Sequence, residues 1–241
     1  MHQTMFHRVR YLLSVGDLSQ LPPDRGAEVA FAGRSNAGKS SAINALCGRR
    51  GIAFVSKMPG RTQLINFFQL AGGRHLVDLP GYGYANAPAA MRARWEALIG
   101  TYLRQRRALR GLILVMDARH TLTPLDRRML DWCASTRRPV HALLSKADKL
   151  SRQAGERQRI EAEEALSRLY PAASVQLFSS TASIGLQEAR EAVAKMLEMG
   201  EAVEDYIPDA PSEEVESDRE PRSGATKRNP RLKGIKPGVK P

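Results

Sequence analysis

The sequence predicts an α/β fold of three layers, with a mostly parallel six-stranded sheet between two sets of helices. Three observations predict it. From Glu28 onward, short apolar runs alternate with amphipathic segments, the pattern of strands joined by helical crossovers. A glycine-rich turn, "GRSNAGKS", separates the first such run from the first helix. The other motifs with chemistry fall after strand-like runs or in connecting loops, where folds of this class hold ligands.

Each element has its own signal. "EVAFAG" reads as a strand and "KSSAINALCG" as a helix stopped by Gly48. "LINFFQL" and "RHLVDLP" flank "AGG", the signature of a hairpin. "PAAMRARWEALIGTYLRQR" reads as a helix with Pro88 near its start, and "LRGLILVMDA" as a buried strand. "TPLDRRMLDWCAST" is a helix with Thr123 as N-cap, Pro124 first and Asp126 in the opening turn. "PVHALLS" and "SVQLFSS" are strands, while "GERQRIEAEEALSRLY" and "GLQEAREAVAKML" are helices.

Three regions follow: a lead-in at 1–25, a ligand-binding domain at 26–200, and a tail at 201–241. The tail is acidic and then basic, with almost no aliphatic clusters, and is expected to be disordered. Its eight basic and nine acidic residues leave +13 of the chain's net +12 on the first 200 residues. A basic domain suits a polyanionic partner. The run Tyr11–Val15 is too short for a signal-peptide core, and nothing approaches a membrane span. A cytoplasmic monomer is expected. Cys47 and Cys133 fit neither a metal site nor a disulfide scaffold and read as buried thiols.

Gly33, Gly38, Lys39 and Ser40 satisfy GxxxxGK[ST]. Backbone N–H groups of such a loop close on a diphosphate at a helix N-terminus; Lys39 would neutralise the β- and γ-phosphates and Ser40 would bind Mg²⁺. The loop does not distinguish ATP from GTP. In "VDLPG", Asp78 at a strand end can hold Mg²⁺ through water, and the Gly81 N–H can reach a γ-phosphate. Many GTPases place a water-orienting Gln next; here stands Tyr82, which points to slow intrinsic hydrolysis or to water positioned by another group. Gly81 and Gly83 around it suggest a mobile switch segment. In "SKAD", Asp148 can accept from guanine N1–H and the 2-amino group, and Lys146 can lie along the purine face. In "FSST", small residues after Phe178 let backbone N–H groups approach guanine O6. Thr62 lies between the phosphate loop and Asp78, where it could reach Mg²⁺ and the γ-phosphate; Pro59 and Gly60 form a turn beside it.

Together "EVAFAGRSNAGKSSAINAL", "PGRTQLINFF", "LVDLPGYGYA", "SKAD" and "FSS" resemble the EngB (YihA/YsxC) family of TRAFAC-class ribosome-biogenesis GTPases, from about Phe6 to Met199. The resemblance implies a Ras-like P-loop GTPase fold with bound GTP or GDP and Mg²⁺. It implies nucleotide contacts by Gly33, Arg34, Ser35, Asn36, Ala37, Gly38, Lys39 and Ser40, and by Gly60, Arg61, Thr62, Gln63 and Leu64. Asp78, Leu79, Pro80 and Gly81 would follow, with Ser145, Lys146, Ala147, Asp148, Phe178, Ser179 and Ser180 around the base. Ser40, Thr62 and Asp78 would hold the metal, and Lys39, Thr62 and Gly81 would serve hydrolysis. The implied partner is the precursor of the large ribosomal subunit, its rRNA and proteins, with a linked requirement in cell division and septation. The resemblance also gives Asn36 a K⁺-binding role; the other reading is that Asn36 tolerates a tight loop.

Two positions depart from the family pattern: Met58, where a small hydroxyl residue is common, and Ser145, where Thr is usual. The basic stretch Arg92, Arg94, Arg104, Arg106, Arg107 and Arg110 offers contacts to RNA phosphates. The rival readings are a GTPase acting on another RNA such as tRNA, an ATP-dependent phosphotransferase, and a module that binds GTP without hydrolysing it.

Overall fold

The computed structural model describes residues 2–53, 64–83, 89–200 and 204–205. The sheet has seven strands, in the order β1-β3-β4-β2-β5-β6-β7. They are β1 (Arg10–Val15), β2 (Ala27–Gly33), β3 (Ile65–Leu70), β4 (Arg74–Asp78), β5 (Leu109–Asp117), β6 (Val140–Ser145) and β7 (Ala173–Leu177). β2 pairs in parallel with β4 and β5, and β5–β6 and β6–β7 continue in parallel. β3 forms the expected antiparallel hairpin with β4.

The seventh strand corrects the six-strand expectation. Arg10–Val15 pairs antiparallel with β3 as an edge strand, with a bulge between Tyr11 and Leu13. An edge strand with one solvated side needs no clean apolar pattern, and "RYLLSV" has none. Side chains fix its register: Arg10 Nε donates to Gln69 Oε1 at 2.8 Å and Ser14 Oγ to Asn66 Oδ1 at 2.5 Å.

Helices cover both faces. α1 (His2–His7), α2 (Lys39–Cys47) and α6 (Leu186–Glu198) pack on one, burying Phe6, Ile43, Leu46, Val193 and Leu197 against Phe31 and Leu76. α3 (Ala89–Gln105), α4 (Pro124–Ala134) and α5 (Arg152–Leu169) pack on the other, burying Trp95, Ile99, Met129, Cys133 and Leu166 against Val77, Leu114 and Leu144. α2 stops at Gly48, as its sequence requires. Cys47 and Cys133 are both buried, and burial pushes both thiols up to about 12.

α3 is anchored by a buried ion pair. Arg106 Nη2 meets Glu28 Oε1 at 2.5 Å, and Tyr102 donates to Glu28 Oε2 at 2.8 Å. Arg106 also donates to the carbonyls of Pro22 (2.9 Å) and Pro23 (3.2 Å), tying the segment before β2 to the end of α3. Burial raises the Glu28 carboxyl pKa against the pull of Arg106. Of the tail, Glu204 and Asp205 are described; Asp205 Oδ1 accepts from the Gly73 N–H at 2.9 Å. The disorder expected for the rest falls on residues outside the description.

Candidate nucleotide site

The carboxyl ends of β2, β4, β5, β6 and β7 meet at one edge of the sheet, and the sequence motifs meet there with them. At the end of β2 the chain crowds β5: a Cβ on Gly33 would stand 2.6 Å from the Val115 carbonyl oxygen, so only glycine fits. The loop then turns through left-handed backbone at Asn36 (φ 65°) and Gly38 (φ 97°). Asn36 therefore has a backbone role, since Asn tolerates this region better than most residues. α2 begins at Lys39 with no side-chain cap on its first turn. Uncapped N–H groups and the positive end of the helix dipole suit an anion.

Lys39 Nζ and Asp78 Oδ1, the groups expected to serve phosphate and Mg²⁺, are paired with each other. Leu79 and Pro80 turn their side chains into the core, so only their backbone can face a ligand. Gly81 lies against the phosphate loop, where an added Cβ would stand 3.5 Å from the Ser35 backbone. The Ser35 N–H donates to the Tyr82 carbonyl at 2.8 Å.

The residues expected around the base are bonded to that same loop. Ser145 Oγ donates to the Ala37 carbonyl, and Lys146 Nζ to the Asn36 carbonyl at 2.7 Å. The departure to Ser145 thus keeps the hydroxyl in use. Lys146 also stands 3.0 Å from Asp117 Oδ2. Asp117 joins this cluster through Lys146, and the sequence carries one signal for it, an acid ending the buried run "LRGLILVMDA". Arg119 bonds it first and Lys146 second, holding its carboxyl far below the usual carboxylate range. Asp148 Oδ1 accepts from Ser179 Oγ at 2.6 Å, and that bond chiefly lowers its pKa. Backbone bonds align the two base motifs: Ala147 N–H to Phe178 O at 3.1 Å, and Phe178 N–H to Leu144 O at 2.9 Å. Ser180 follows, half-buried.

The structure takes Tyr82 away from the phosphate edge. The ring is buried 5.8 Å from Trp95, and its hydroxyl donates to Asp126 Oδ1 at 2.5 Å. Burial first, and Asp126 second, push the phenol well above its ordinary pKa. Asp126 Oδ2 also accepts from the Thr123 N–H (2.8 Å) and Oγ1 (2.7 Å), which fixes the first turn of α4.

Other expectations divide. Gly60, Arg61, Thr62 and Gln63 lie outside the described residues, as does Met58; Leu64 is half-buried beside Gly16. The basic stretch does not form one surface: Arg106 is buried and Arg110 bonds the Gly26 carbonyl at 3.2 Å, while Arg94, Arg104 and Arg107 are exposed. Arg106 lies just past the end of α3 and Arg110 on β5, so neither shares the helix's outer face, and Glu28, distant in sequence, received Arg106.

A family model described as "50S ribosome-binding GTPase" matches residues 28–146. The chain is 52% identical over 206 residues to the "Probable GTP-binding protein EngB" of Methylobacillus flagellatus, covering 86% of this chain and 98% of that protein. It is 55% identical over 185 residues to the same-named protein of Thiobacillus denitrificans, covering 77% and 89%. Among solved structures, a probable GTP-binding protein engB superposes with TM-score 0.55 at 18% identity, over 72% of this chain and 99% of that one. Era from Aquifex aeolicus, bound to GDP and aluminium fluoride, superposes with TM-score 0.56 at 17% identity, over 76% and 60%. At such identities the structures speak for the fold, and the sequence relatives for the family. The chain belongs to the EngB family of P-loop GTPases.

Proposed function

We propose that this GTPase is a slow guanine-nucleotide switch in assembly of the large ribosomal subunit, acting as a cytoplasmic monomer and needed for normal division and septation. One observation carries the guanine reading. Ser145 and Lys146 bond the carbonyls of Ala37 and Asn36, so the Asp148 carboxylate is held at a fixed reach from the phosphate loop. That arrangement supports a ligand with a phosphate tail and a base bearing two adjacent donors. No helix of the described residues is long and apolar enough to cross a membrane.

Within this reading Lys39 leaves Asp78 and takes the β- and γ-phosphate oxygens, while α2 presents its uncapped N–H groups to them. Ser40 and Asp78, with Thr62, would hold Mg²⁺, which when bound neutralises phosphate charge. Among the described residues no three His, Cys, Asp or Glu side chains are placed to hold a metal alone, so phosphate oxygens would supply other ligands. Gly81 offers its N–H to the γ-phosphate. The Tyr82 hydroxyl is committed to Asp126, which supports slow intrinsic hydrolysis. Asn36 would support K⁺ beside the phosphates. Asn36→Gly keeps the left-handed backbone and should erase a faster rate in K⁺ than in Na⁺; equal wild-type rates in the two salts would remove that part of the proposal.

The ribosomal assignment is supported by the +13 charge of the first 200 residues and by the description of the matching family model. Asp148→Asn should weaken GTP on the order of 100-fold or more, two charge-assisted bonds being lost, and improve xanthosine triphosphate. Effective competition by ATP would refute the guanine reading. Co-sedimentation with large-subunit precursors should be stronger with a non-hydrolysable GTP analogue than with GDP; no co-sedimentation in either state would refute the ribosomal one.

A further inference from the structure

The layer formed by α3, α4 and α5 carries its arginines under two regimes. On α5 three of the four are matched: Arg159 with Glu156 (2.7 Å) and Glu163 (2.8 Å), and Arg157 with Glu161 and Arg168 with Glu164 (both 3.8 Å), while Arg152 at the helix start is exposed. On α3, α4 and the turn after α4, Arg104, Arg127 and Arg137 are exposed. No carboxylate among the described residues lies within ion-pair distance of these three. Arg128 beside them takes Glu96, and Arg107 reaches Asp24 at 3.5 Å with its side chain 85% exposed. The Arg104 guanidinium lies over Gly100 beside the Trp132 ring.

We propose that Arg104, Arg127 and Arg137, with Arg107 at the rim, form an RNA-docking surface that Tyr82 links to the nucleotide site. The complementary charge is phosphate. A guanidinium donates two parallel N–H groups to phosphate oxygens, and unmatched arginines can release the counterions of a polyanion without first breaking an ion pair. The link is continuous in the structure. The Ser35 N–H of the phosphate loop holds the Tyr82 carbonyl, the Tyr82 hydroxyl holds Asp126 in the first turn of α4, and its ring meets Trp95 of α3. Trp95 in turn lies 5.9 Å from Trp132 of α4. A shift of Gly81–Gly83 that follows the γ-phosphate must move this chain of contacts, so RNA affinity depends on the nucleotide; that second part rests on the switch reading above.

The test measures binding of a short labelled RNA duplex and co-sedimentation with large ribosomal subunits, using the full chain with GDP or a non-hydrolysable GTP analogue. The triple variant Arg104→Ala, Arg127→Ala, Arg137→Ala is compared with Arg157→Ala, Arg159→Ala, Arg168→Ala on α5. Unchanged GTP affinity in both variants verifies their fold. The first should lose about tenfold or more in RNA affinity, with a salt slope shallower by roughly 2–3, and the second should stay near wild type. Equal losses in both, or none in either, overturn the surface assignment while leaving wild-type subunit binding intact. Anionic lipid vesicles that bind better than RNA, and lose affinity in the first variant alone, overturn RNA as the partner. Wild-type failure to bind subunits in either state defeats the ribosomal reading itself.

Discussion

α3 and α5 lie in the same helical layer over the same sheet, and they hold charge in opposite ways. α5 pairs three of its four arginines with its four glutamates along its own surface, three or four residues apart. Such pairs are solvated and add little stability. At the end of α3, Arg106 is committed to the fully buried Glu28, and exposed Arg104 has no acid within ion-pair distance among the described residues, while Arg107 reaches Asp24. A helix that neutralises itself is a cover. A helix held from beneath, with unmatched cations outside, is available to a partner.

The largest effect should come from breaking the buried pair. Glu28→Ala leaves Arg106 charged in the core with only the more distant Asp24, at 3.5 Å, as an acid partner, and should cost about 3–5 kcal/mol in denaturant unfolding. A loss below ~1 kcal/mol would show that α3 is held no differently from α5. A second effect sharpens the contrast by pH. His75 lies 6.3 Å from the Phe67 ring, with both ring nitrogens buried and lacking hydrogen-bond partners among the described residues. Burial first, and Arg106 second, lower its pKa to about 4. The unfolded chain therefore takes up the proton first. Stability from this group is complete above pH ~6.5 and falls by up to about 1.4 kcal/mol per pH unit toward pH ~4. His75→Leu should flatten that limb; an unchanged limb would place its origin elsewhere.

Tyr82→Phe keeps the ring against Trp95 but removes a donor from buried Asp126, and should cost about 1–2 kcal/mol. The smallest effect belongs to α5. Glu163→Ala removes one exposed partner of Arg159 and should leave the unfolding midpoint within error.

Much of this layer was legible locally. Thr123, Pro124 and Asp126 announced the start of α4, and "AGG" between two apolar runs announced the β3–β4 hairpin, because caps and tight turns are set by neighbouring residues. The phosphate loop was legible because its spacing is its chemistry. The contacts that separate α3 from α5 were not. Tyr82 reaches Asp126 across 44 residues and Arg106 reaches Glu28 across 78, and no local pattern encodes such partners. Tyr82 was readable as a departure from Gln, but its direction into the core was not. The edge strand β1 was hidden for the opposite reason: half-solvated, its short apolar run shows no clean alternation.

The central claim is that the γ-phosphate speaks to α3 and α4 through Tyr82 and leaves α5 unaltered. Amide hydrogen exchange on the full chain, with GDP against a non-hydrolysable GTP analogue, tests it directly. The account predicts changed protection in the first turns of α3 and α4, lost in Tyr82→Phe, with α5 unchanged throughout. Equal changes in α5, or changes in α4 that persist in Tyr82→Phe, would contradict it.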